Sequence, residues 1–155
     1  MEMKTSIDTE NGKQDLLITR EFDLPLDLLF RAYVEPDIIS QWMGTNVLKL
    51  DNRKHGSYEF ETRDGAGNVL FRANGTIHEF RENEKITRTF EMENTPFPVQ
   101  LEFLEFSRLT DDKSKLTMQI VFRSVEDRDS MLQLPFKQGI NMAHKKLQEI
   151  AGKLI

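Results

Sequence analysis

Imidazole is scarce in this 155-residue chain: His55, His78 and His144 are its only histidines, and it has no cysteine. A metal site needs three or more converging ligands, and these histidines stand in three distant segments with no HxH or HExxH spacing. No metal site is expected. His144 sits beside Ala143, near a helical apolar stripe, where a flank histidine making one hydrogen bond is the ordinary reading. Serine chemistry is no better supplied, since there is no GxSxG turn. Gly65 and Gly67 in DGAGN lack the Lys-Ser/Thr that completes a phosphate-binding loop, so they read as hairpin glycines. Glu59 and Glu61 share the polar face of an alternating strand, which places them in water rather than in an acid–base pair. The chain shows no catalytic constellation and calls for no cofactor.

Arg88 is different. It falls in phase with Ile86, Phe90 and Met92, so the alternation that buries those side chains also aims a guanidinium inward. Left unpaired there, it would be very costly. It needs an acidic partner such as Glu105, or the polar end of a ligand, for instance a carboxylate held bidentately. A register slip of one residue, or a strand edge from which the side chain snorkels to water, would remove that requirement.

The elements that position these residues follow from periodicity. LLITREF reads as a first strand. Pro25 then opens a helix with Leu26, Leu29, Phe30 and Tyr33 at helical spacing, and Pro36 opens a second that ends at Met43-Gly44. From Gly44 onward the period is two. HGSYEFETRD, VLFRANGTIHEF, ITRTFEME, VQLEFLEFSRL and KLTMQIVFR are separated by short turn-rich loops, and this predicts a meander of antiparallel strands. In the fourth of these, Val99, Leu101 and Phe103 are read as the inward set. Over residues 127–154 the stripe Met131, Phe136, Ile140, Ala143, Leu147, Ile150 and Leu154 predicts a long amphipathic helix, with a break at Pro135.

Bulk properties narrow the classes. The composition, 38% hydrophobic and 30% charged, is that of an ordinary globular protein. Residues 1–14 form a polar lead-in expected to fray at its start, and residues 15–155 read as one domain. A net charge of −5 disfavours nucleic acid, whose binding is driven by Lys and Arg. No membrane span or secretory signal is read, and a cytoplasmic location is expected.

The order of these elements, with the stretches ITREFDLPLDLLFRAYVEPDIISQWMG, GTIHEFRENEKITRTFE and QGINMAHKKLQEI, resembles the START-like (SRPBCC, polyketide cyclase-related) superfamily. Within it, the chain is most similar to the branch related to the C-terminal domain of the activator of heat shock protein 90 ATPase. Phe30, Arg31, Ala32, Pro36, Asp37, Trp42 and Gly44 carry the opening motif, and Gly75, Glu79, Glu84, Ile86 and Thr89 the middle one. Met43 and Ile140 depart from it, standing where relatives often have Trp.

The resemblance implies an α+β helix-grip fold: a curved antiparallel sheet wrapped around a long C-terminal helix, with two short helices after the first strand. It also implies a cavity between helix and sheet. Tyr58, Phe71, Phe90, Phe103, Met118, Phe122, Met131, Phe136 and Ile140 would line that space, with Trp42 near one end and Arg88 as a polar anchor. The expected function is binding of a small hydrophobic or amphipathic molecule. The alternatives are a chaperone-associated interaction domain, and a cyclase or hydrolase using the same cavity.

Overall fold

The structure is a computed structural model and describes residues 5–155. The fraying expected at residues 1–4 lies outside the described residues. Strand β1 (Ser6–Asp8) is followed by β2 (Asp15–Phe22), helices α1 (Leu26–Val34) and α2 (Pro36–Met43), and six strands. These are β3 (Asn46–Leu50), β4 (Ser57–Arg63), β5 (Val69–Arg81), β6 (Lys85–Met92), β7 (Gln100–Arg108) and β8 (Ser114–Val121). Helices α3 (Val125–Gln133) and α4 (Phe136–Gly152) close the chain. All strand pairs are antiparallel, in the order β1-β2-β8-β7-β6-β5-β4-β3. The lead-in therefore contributes an edge strand, since Ile7 pairs with Ile18.

Local sequence explains most boundaries. Pro36 sits in the first turn of α2, and Gly44 ends it at φ +63°, a left-handed conformation that suits a residue without Cβ. Trp42 Nε1 donates to the Ala32 carbonyl (2.7 Å) and its ring lies 5.2 Å from Tyr33, locking the two short helices together. Register shifts in β3–β4, β4–β5 and β5–β6 increase the twist and bend the sheet. The shift at Ile77/Glu79 also changes the phase of β5, so that Phe80 meets Phe30 at 5.6 Å.

The C-terminal run is two helices rather than one. Ser124 caps α3 by accepting from the Asp127 N–H, and Pro135 separates α3 from α4. Arg128 of α3 is buried and donates to the backbone carbonyls of Asp15 and Glu10 at 3.2 and 2.8 Å, which pins the β1–β2 segment to the body of the protein. Along α4, His144, Leu147 and Ala151 are fully buried, whereas Phe136, Ile140 and Ala143 are only half-buried. The helix thus seats tightly at its C-terminal end and stands off the sheet at its N-terminal end.

Candidate functional site

Beneath the raised half of α4 lies a cavity of about 350 Å³. That volume falls within the range of small-molecule pockets. Strands β6, β7 and β8 supply Arg88, Phe90, Met92, Gln100, Glu102, Met118 and Ile120, and Phe60 comes from β4. The helices supply Tyr33, Ile39, Trp42, Met43, Met131, Phe136, Ile140, Ala143 and His144. Met43 is 38% exposed and stands at the rim.

Of the residues predicted from sequence, Trp42, Arg88, Phe90, Met118, Met131, Phe136 and Ile140 stand on this wall. Four do not. Phe103 faces away, because the inner face of β7 carries Gln100, Glu102, Leu104 and Phe106. The inward set read as Val99, Leu101 and Phe103 is therefore out of phase by one residue. Tyr58 is buried but lies flat on the sheet across from Gly75, and its hydroxyl donates to the Thr89 carbonyl at 2.5 Å. Phe71 is half-buried towards the β4–β5 hairpin, opposite Thr62. Phe122 is buried just past the end of β8.

The phase of β7 also decides the partner of Arg88. Glu105 is exposed on the outer face, opposite Lys85. Glu102 lies directly across from Arg88, whose Nε donates to Glu102 Oε1 at 2.9 Å. Gln100 Nε2 donates to Glu102 Oε2 at 2.8 Å, so both carboxylate oxygens are engaged. Both charged side chains are buried, at 11% and 7% exposure. The Arg88 guanidinium also lies over the Tyr58 ring at 5.2 Å. Burial alone would favour loss of the Arg88 proton, but Tyr58, Glu102 and Tyr33 more than offset it and the pKa is raised. Burial raises the phenols of Tyr33 and Tyr58, so both remain protonated at neutral pH.

The histidines separate into two places. His55, in the turn before β4, donates its backbone N–H to the Ile77 carbonyl, which brings its ring to 6.5 Å from that of His78 on the exposed surface. His144 is on the buried face of α4, with Nδ1 2.7 Å from Thr5 Oγ1. Glu61 differs from expectation: it is covered by ion pairs with Arg72 and Arg63, which hold its carboxyl below the usual range, while Glu59 is exposed. Sequence reasoning missed Tyr33, Ile39, Phe60, Met92, Gln100, Glu102, Ile120, Ala143 and His144 as wall residues. For Gln100 and Glu102 the available signal was Leu104 and Phe106, which fix the inner face of β7 at its far end.

A family model described as activator of Hsp90 ATPase homolog 1-like protein matches residues 23–152. A search of curated proteins found no match. Among solved structures, a protein from Rhodobacter sphaeroides superposes with a TM-score of 0.86 at 14% identity, over 97% of this chain and 99% of that one. One from Mycobacterium smegmatis gives 0.82 at 19% identity, over 95% and 96%. A solution structure from Arthrobacter aurescens gives 0.83 at 13%, over 96% and 91%. At these identities the likeness concerns the fold. No helix among the described residues is long and apolar enough to cross a membrane.

Proposed function

The chain belongs to the family of activator of Hsp90 ATPase homolog 1-like proteins, and from that premise we propose that it is a binding module holding one small hydrophobic or amphipathic molecule between α4 and the sheet. The observation that carries this reading is the cavity itself. Its walls are mainly aromatic, aliphatic and Met side chains, and its polar floor is a single satisfied cluster of Arg88, Glu102 and Gln100. Apolar walls with a few fixed polar groups are how small-molecule sites combine affinity with orientation, and Met adapts to varied shapes. The seven wall residues anticipated from sequence, Trp42 to Ile140, are the proposed ligand contacts. We place the activity in the cytoplasm, which the lack of cysteine supports.

The floor also bears on what kind of ligand fits. Arg88 needs either an acidic partner or the carboxylate of a ligand. Glu102 already neutralises it, so a second carboxylate would lie against a buried negative charge.

Native mass spectrometry of the protein purified from its own organism, followed by denaturing extraction, tests the reading. A stoichiometric small molecule supports the binding module and identifies its chemistry. A clean apo mass, with no thermal shift across a panel of hydrophobic ligands, would count against it and favour the chaperone-associated alternative. That alternative is then checked on the ATPase of the cognate chaperone.

A further inference from the structure

The cavity wall has a second polar point besides the Arg88–Glu102 floor. His144 is fully buried on it. Its Nδ1 lies 2.7 Å from Thr5 Oγ1, and the Thr5 backbone N–H donates to Asn141 Oδ1 at 3.2 Å, so the ring is clamped from the side of the N-terminal segment. Phe22 meets the ring edge-on at 5.7 Å. Nε2, at the opposite corner from the clamped Nδ1 side, is buried and has no hydrogen-bond partner among the described residues. A buried nitrogen left in that state forfeits about 1–3 kcal/mol, and native proteins ordinarily complete such groups with water or a ligand.

We propose that His144 Nε2 is the hydrogen-bonding point for the ligand's head group, and that the ligand is an uncharged, hydroxyl-bearing molecule, an alcohol or a phenol rather than a carboxylate. This inference rests on the binding-module reading and narrows it to a ligand class. Three physical features lead to it. First, the imidazole is neutral: burial, with Arg20 second, pushes it down to about 4, so it offers no positive charge at neutral pH. Second, the Thr5 hydroxyl can either donate to Nδ1 or accept from it, leaving Nε2 a donor in one tautomer and an acceptor in the other. A hydroxyl answers both tautomers, whereas a carboxylate answers one alone. Third, the two charged residues on the cavity wall, Arg88 and Glu102, are already paired with each other.

The test uses the full chain near neutral pH, with decanol, decanoate and decane as probes that differ only at the head. Calorimetric titration gives the affinities, and NMR of histidine-labelled protein follows the His144 Nε2 resonance. Decanol is expected to bind at least tenfold more tightly than decanoate, with the Nε2 resonance moving in proportion to the bound fraction. In His144→Phe, decanol should lose about tenfold relative to decane, the worth of one hydrogen bond. The resonance of the native chain keeps the test independent of whether that variant folds. Decanol binding with an unmoved Nε2 resonance would overturn the role of His144 but leave the binding module standing. Preference for decanoate would overturn the uncharged class. Failure of all three probes to bind, together with a clean apo mass, would remove both readings.

Discussion

Arg88 stays inside the protein because several groups answer it at once: Glu102 across the strand pair, the Tyr58 face, and Gln100 holding the carboxylate's second oxygen. Such a pair adds little net stability, but removing one member leaves a buried charge without compensation. Glu102→Gln is therefore expected to destabilise the fold by about 3–5 kcal/mol, measured by urea unfolding, and to shift ligand preference towards decanoate. An unchanged urea midpoint would show that the guanidinium finds water without Glu102. His144 carries a pH dependence whose sign follows from its depressed pKa. Its imidazole titrates near 6.5 when unfolded and near 4 in the fold. Above the first value neither state is protonated and the full stability is present. As pH falls between the two, the unfolded state takes up a proton that the folded state refuses, and about 3 kcal/mol is lost. Urea midpoints from pH 7 to about pH 4 should fall more steeply for the native chain than for His144→Phe; parallel curves would refute the assignment.

At the level of elements, the decisive contacts are between strands. Tyr58 and Gly75 are direct partners on β4 and β5, and an added Cβ at Gly75 would fall on the Thr89 carbonyl oxygen and within 2.6 Å of the Tyr58 ring. The glycine lets Tyr58 lie flat on the sheet, which is why Phe60 rather than Tyr58 reaches the cavity. Gly75→Ala should cost about 3 kcal/mol through this overpacking, seen as a lower thermal midpoint and a disturbed Tyr58 ring resonance. A variant as stable as the native chain would mean that the sheet opens there at little cost. β7 shows why a phase can be misread. Its inner face begins with the polar pair Gln100 and Glu102, because that end forms the cavity floor, while Leu101 and Phe103 are half-buried outside. Hydrophobic alternation tracks burial against a packed core, and here the inner face meets a cavity.

For the whole molecule, the site exists because α4 seats on the sheet at one end only. His144, Leu147 and Ala151 are fully buried, while Phe136, Ile140 and Ala143 arch over the cavity. Ile140→Trp extends an aromatic ring over that space. Decanol affinity should fall by tenfold or more, with the thermal midpoint unchanged or raised by a few degrees. Retained affinity would place the ligand elsewhere. The sequence alone determined the two short helices, the strands β2 and β4 to β8 as an antiparallel meander, the Gly44 stop, the inward phase of β6 and β8, and the wall residues Trp42, Phe90, Met118, Met131, Phe136 and Ile140. These are local matters of period, turn chemistry and capping, each legible within a window of a few residues. Tertiary structure alone decided that Glu102 answers Arg88, that Thr5 clamps His144, and that Tyr58 turns onto Gly75. Each joins residues whose meeting depends on cross-strand register or on the seating of a helix, and a shift of one residue in either would have placed a different side chain at the site.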